Sequence, residues 1–252
     1  MNRTFIWGHR GSGFIGVQNT LPSFQNAINM GVDGIKTEAQ LSKDNEIVLS
    51  FYKSLKINGE ELLMNKLDLD EIKKFKLENN ESIPSLRELF ENFKNYDIRY
   101  NFDITVPEIG IEIIKLAREF DLVDYIELGK PSIYPDPLPV IFSKIRKFDK
   151  NVTLVNSVSL KHTYINEEHL ELKNMRELNI KVINIYHNYS NFELFKLVKD
   201  NGFKYYVWGV LFKRSFEKFL KMRYNGEYID AIMSNLPDRL IEMRNKIQGL
   251  NQ

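Results

Sequence analysis

Cysteine is absent from the 252 residues, which excludes disulfides and thiolate metal sites and agrees with a reducing compartment. An excess of one charge is also lacking. Lys and Arg number 35 against 34 Asp and Glu, a formal net charge of +1, so nothing in the balance argues for nucleic acid or an anionic membrane surface as partner. No apolar run is long enough to span a bilayer, and Met1 to Trp7 carries no signal-peptide pattern. A cytoplasmic protein without a membrane span is therefore expected. Linkers, low-complexity tracts and fixed-length repeats are missing too. The hydrophobic share of 43% suffices for a full core, and the length suits one large α/β domain or two small ones.

The stretch Gly34 to Phe51 organises the chain. It reads as strand, tight turn, strand, because Asp44 and Asn45 tolerate the left-handed backbone of a hairpin tip and Ile47-Val48-Leu49 is β-prone. Alternation puts Lys36, Glu38 and Gln40 on one face, with Phe51 brought back beside Glu38. A lysine and a carboxylate two residues apart, with an aromatic alongside, are unusual on a packing face.

Around that hairpin the chain alternates. A short strand from Thr4 ends in the polar loop His9-Arg10-Gly11-Ser12-Gly13. A helix follows, with Thr20 as N-cap, Pro22 in its first turn and Gly31 as its stop. The lysine-rich segment 56–80 reads as an insertion, and Ser85 opens a helix carrying Leu86, Leu89, Phe90 and Phe93. Further strands are expected at 98–104, 123–128, 152–156, 181–186, 204–210 and 229–233, with helices near 108–120, 136–148, 167–178, 191–201 and 213–224. Strands starting at 4, 34, 98, 123, 152, 181, 204 and 229 make eight, and eight β/α units in this length are the size of a TIM barrel.

Active sites of such barrels lie at the C-terminal ends of the strands. Those ends carry His9 and Arg10, Lys36 and Glu38, Asp103, Glu127, Asn156, His187, Trp208, and Ser234 with Asn235. Arg10 can fork two phosphate oxygens, and a histidine such as His9 can move a proton near neutral pH. This ring suits a phosphorylated ligand. A plainer reading stands beside it: a barrel-interior ion pair among Lys36, Glu38 and Asp103, with Trp208 as core and His187 as an exposed loop residue.

His9-Arg10-Gly11, Asn19-Thr20-Leu21, Gly31-Val32-Asp33-Gly34-Ile35, Gln40-Leu41-Ser42-Lys43-Asp44, Ile83-Pro84-Ser85-Leu86, Phe102-Asp103-Ile104, Trp208 and Ile229-Asp230-Ala231-Ile232 with Pro237 resemble the glycerophosphodiester phosphodiesterases over nearly the whole chain. The resemblance implies a TIM (β/α)8 barrel of the phospholipase-C-like phosphodiesterase type. Residues 1–252 would form one domain, with a β-hairpin and a small insertion, about 52–82, after strand 2. It also implies phosphoric diester hydrolysis, releasing glycerol 3-phosphate and an alcohol. Two histidines would perform it with Ca or Mg held by three carboxylates.

His9 and Arg10 stand at the family's first catalytic histidine and its arginine. Glu38 and Asp103 stand at two metal positions, while Lys36 replaces the first metal carboxylate and Phe51 the second histidine. Gln18 replaces a loop glutamate, and Thr105, Gly209, Ser234 and Asn235 also depart from the pattern. A divalent cation needs several oxygens; the Lys36 ammonium would repel it and can pair with Glu38 and Asp103 in its place. Phe51 carries no proton. The expectation is a remodelled, weak or metal-independent site that binds a glycerophosphodiester or glycerol phosphate through His9, Arg10, Lys36, Trp208 and His187. The alternatives are a catalytically inactive phosphate-binding barrel, and a metal-free reaction using His187 and Glu127.

Overall fold

The expected alternation of strand and helix closes into a ring in the computed structural model, which describes residues 3–57, 59–78 and 80–249. The first half contains β1 (Phe5–His9), α1 (Leu21–Met30), β2 (Gly34–Leu41), β3 (Ile47–Leu49), β4 (Ser54–Ile57), β5 (Glu60–Leu63), α2 (Leu69–Lys74), α3 (Leu86–Phe93), β6 (Arg99–Asp103) and α4 (Pro107–Glu119). Then come β7 (Ile126–Lys130), α5 (Leu138–Phe148), β8 (Thr153–Ser157), α6 (Leu172–Glu177), β9 (Val182–Tyr186), α7 (Phe192–Asp200), β10 (Lys204–Trp208) and α8 (Lys213–Lys221). The chain finishes with β11 (Arg223–Tyr224), β12 (Glu227–Tyr228), β13 (Ala231–Ser234) and α9 (Pro237–Gln248).

Strands β1, β13, β10, β9, β8, β7, β6 and β2 pair in parallel in that order, and β1 also pairs with β2, so the sheet has no edge there. This is the eight-stranded TIM barrel expected from the sequence. Two apolar layers form. Trp7, Val155, Val182, Tyr206, Ala231 and Met233 fill the barrel interior, and a larger shell packs the helices against the outside of the strands. Local signals behave as read. Thr20 accepts a hydrogen bond from Ser23 N, and Gly31 at φ 87° ends α1. At the hairpin tip Asn45 adopts φ 64°, and Ser42 N donates to Glu46 O.

Four readings need correction. Residues 123–125 form a 3-10 turn, and β7 starts at Ile126. The run Leu122-Val123 is apolar, yet Asp121 at φ 57° has just ended α4 and turned the chain. The strand therefore ends at Lys130, and Glu127 lies low in the barrel. The segment 56–80 is not merely a polar insertion: β4, β5 and α2 cover a small core of Val48, Leu55, Met64, Leu67, Ile72 and Ile83. Helix α8 stops at Lys221, before a short hairpin, and 167–178 splits into a 3-10 turn and α6. Helix α9 escapes the sequence reading because polar Arg244 and Gln248 sit on its buried face. Arg244 reaches Thr4 O and the Asp33 carboxylate, and Gln248 Nε2 donates to Leu220 O and Thr4 Oγ1.

Candidate active site

A cleft of about 260 Å³ opens at the C-terminal end of the barrel. The inward face of β2 supplies Lys36, Glu38 and Gln40, the face on which the sequence placed them. His9 and Arg10 come from the end of β1, Asp103 from β6, and Ser157, Asn184 and Trp208 from later strands. Phe51 and Lys53, after β3, face Pro131 to Tyr134, after β7, across the opening.

Lys36 is the hub. It is 4% exposed, and its Nζ donates to Asp103 Oδ2 at 2.5 Å and to Glu38 Oε1 at 3.0 Å. Burial would strip its proton, but the fields of Asp103 and Glu38 outweigh burial and raise its pKa. Glu38 is the most heavily bonded carboxylate of the cleft. Arg10 Nε donates to Oε1 at 2.9 Å, Asn19 Nδ2 to Oε2 at 2.9 Å, and His9 Nε2 lies 3.8 Å from Oε1. Burial alone would raise its pKa; Lys36, His9 and Arg10 hold it well below the usual carboxylate range. Asp103 goes the other way. Burial and repulsion from Glu38 lift it, and its bond to Lys36 offsets only part of the rise.

His9 Nδ1 lies 2.8 Å from Asn235 Oδ1. An amide oxygen only accepts, so Nδ1 donates to it, and this bond turns Nε2 toward the cleft beside Glu38. Arg10 occupies a left-handed backbone position at φ 60°. Its guanidinium lies 4.1 Å from the centre of the Phe51 ring and donates to Gln18 Oε1. Phe51, where the resemblance implies a histidine, thus forms the platform under Arg10.

The remaining predicted positions divide. Trp208 lines the cleft and packs 4.7 Å from Tyr186. His187 does not line it; its ring packs on Tyr186, and burial with Lys218 nearby lowers its pKa. Glu127, buried low in the barrel, accepts from Asn101 Nδ2 and Tyr206 Oη, so it and His187 share no site. Asn156 points outward and donates to Leu170 O, leaving Ser157 to face the cleft. Ser234 Oγ donates to Val210 O.

Sequence reasoning missed Lys130, which ends β7 almost fully buried and donates to Tyr134 O and Asp136 O. It also missed Lys53, whose Nζ lies 4.7 Å from the Tyr134 ring centre. Lys130 became visible only once the end of β7 was placed. Among the described residues no group of three or more His, Cys, Asp or Glu is arranged to hold a metal ion.

Fold and cleft together define a TIM-barrel protein with cationic and carboxylate side chains gathered at the mouth. A model of the glycerophosphoryl diester phosphodiesterase family matches residues 9–234, and the chain belongs to that family. It is 24% identical over 260 residues to the glycerophosphodiester phosphodiesterase of Caldanaerobacter subterraneus subsp. tengcongensis, covering 97% of this chain and 99% of the relative. The glycerophosphodiester phosphodiesterase structure from Thermotoga maritima superposes with a TM-score of 0.74 at 17% identity, over 96% of this chain and 99% of that one. An Oleispira antarctica phosphodiesterase, solved with its product sn-glycerol-3-phosphate, gives 0.77 at 18% identity over 95% and 96%. At such identities the two structures speak to the shared fold. Among the described residues no helix is long and apolar enough to cross a membrane.

Proposed function

We propose that the cleft binds a small phosphorylated ligand, a glycerophosphodiester or glycerol phosphate, and that the Lys36 ammonium does the electrostatic work the family assigns to a divalent cation. One observation carries this reading: Nζ sits between Glu38 and Asp103, bonded to both. The residues do not fit a divalent ion. Both Glu38 oxygens already accept strong donors, one Asp103 oxygen is held by the ammonium, and a third carboxylate is replaced by a cation. Arg10, fixed on Phe51, and Lys36 supply donors for phosphate oxygens. Trp208 supplies an apolar wall. That a relative's structure contains sn-glycerol-3-phosphate supports the ligand class. We read residues 1–252 as one domain, with 52–82 inserted after β2.

Any turnover would be phosphodiester hydrolysis. His9 Nε2 takes the proton of a water whose oxygen attacks phosphorus, the bond from phosphorus to the alcohol oxygen breaks, and solvent protonates the departing alkoxide. Phe51 supplies no proton at that step, and losing one member of a cooperating acid–base set costs on the order of a thousandfold in rate. A second reading, binding without chemistry, is favoured by that same phenylalanine and by the position of His187 outside the cleft.

The test assays glycerophosphocholine hydrolysis with added Ca or with EDTA, beside the thermal shift given by glycerol 3-phosphate. Slow, chelator-insensitive turnover with a shift supports the first reading, and a shift without turnover the second. Brisk turnover abolished by EDTA overturns the role given to Lys36, and the absence of any shift overturns the ligand class.

A further inference from the structure

Loops that follow the strands of a TIM barrel all emerge on one face, and here that face carries large apolar side chains in water. Phe14 is 60% exposed, Tyr52 68% and Phe212 69%, with Ile15 and Phe51 also exposed. They belong to one sector. Phe14 and Ile15 follow β1, Phe51 and Tyr52 follow the β2–β3 hairpin, and Phe212 follows β10. Strands β10, β13, β1 and β2 are consecutive neighbours around the barrel, and Phe14 N donates to Asn235 O, just past β13. Phe14, Phe51 and Tyr52 border one groove.

Cations flank the same aromatics: Lys53 beside Tyr52, and Lys213 and Arg214 after Phe212. Glu78 is the carboxylate bordering the groove, while Asp136, Glu167 and Glu168 lie in the loops after β7 and β8. Ile133 and Tyr164, 62% and 63% exposed, extend the apolar surface onto those two loops beside their carboxylates, so the cationic part of the apolar face is the sector of β10, β13, β1 and β2. Exposed aromatics interleaved with Lys and Arg, presented by separate loops around an opening, have the composition of a lipid-interface surface.

We propose that this sector docks on an anionic lipid surface by inserting Phe14, Tyr52 and Phe212, which turns the phosphate cleft toward the lipid headgroups. With a net charge of only +1 long-range attraction is weak. Retention comes from apolar insertion, and Lys53, Lys213 and Arg214 add a salt-sensitive part. The inference stands whether or not the cleft turns over a substrate.

The test is co-sedimentation of the full chain with vesicles of phosphatidylcholine alone and mixed with phosphatidylglycerol, for wild type and a triple variant, Phe14→Ser, Tyr52→Ser and Phe212→Ser. The wild type should pellet with mixed vesicles. The variant should partition about tenfold more weakly, with an unchanged melting temperature and an unchanged response to glycerol 3-phosphate. Those two controls separate this inference from the cleft's function, because the three side chains lie outside the polar cleft. Wild type left in the supernatant overturns the proposal, as does a variant that pellets equally well. Self-association of the wild type without vesicle binding, lost in the variant, also overturns it and assigns the surface to a second copy of the chain.

Discussion

Lys36 holds buried Glu38 and half-buried Asp103 in place, so its replacements are the most informative single changes. Lys36→Met leaves Glu38 and Asp103 facing each other without their cation, and a loss of about 3–5 kcal/mol is expected in denaturant unfolding. Lys36→Glu places a third carboxylate beside Glu38 and Asp103. Millimolar Ca should then raise the melting temperature of that variant by several degrees and leave the wild type unchanged; scanning fluorimetry with and without EDTA reads both. The pH dependence follows from the same trio. Glu38 is depressed in the folded state, so its contribution is whole above the ordinary glutamate range and lost as pH falls through its folded value. Lys36 is raised, so its contribution is whole below the ordinary lysine value and lost as pH rises through the folded one. Asp103, also raised, favours folding in acid and partly cancels Glu38 there. Glu38→Gln should therefore flatten the acid limb, its stability deficit against wild type shrinking below about pH 4. Arg10→Lys keeps the charge but loses the fork and the flat contact with Phe51, and about tenfold weaker binding of glycerol 3-phosphate is expected by calorimetry.

Among the elements, the loop after β7 forms one wall of the cleft, and Lys130 ties it down from beneath. Lys130 is buried, its pKa lowered by that burial, and it donates to two carbonyls of the segment 131–137. Lys130→Met keeps the length and removes both donors. The amides of Ser132, Ile133, Tyr134 and Asp136 should then exchange about tenfold faster by mass spectrometry, with a stability loss of about 1–3 kcal/mol. The sequence announced most elements through caps and apolar spacing, as at Thr20, Ser85 and Gly31. It failed where a turn sat inside an apolar run, at Leu122 to Tyr125, and where a helix buried polar residues, in α9. Only the first of these failures moved a candidate site residue. The late start of β7 sends Glu127 down into the barrel and brings Lys130 to its mouth.

For the whole molecule, closure of the ring decides stability. Gly34 sits where a Cβ would meet the Trp7 ring at 2.5 Å and Arg99 O at 2.8 Å. Gly34→Ala must therefore push β2 away from the barrel interior, at a cost of about 1–3 kcal/mol in chemical unfolding. Next to Gly34, Asp33 accepts from Ile6 N, Arg3 and Arg244, joining the starts of β1 and β2 to α9.

The residues alone determined the family, the count of eight strand–helix units, the inward face of β2 and the substitutions Lys36 and Phe51, because these depend on local alternation and on motifs near one another in the chain. Only the closed barrel decided which partners those substitutions found. Lys36 meets Asp103, 67 positions away, and His9 meets Asn235, 226 positions away. Such contacts follow from strand register around a ring, and register is fixed by packing the whole interior at once. That is why one shifted strand start put Glu127 at the mouth in the sequence reading and deep in the barrel in the fold.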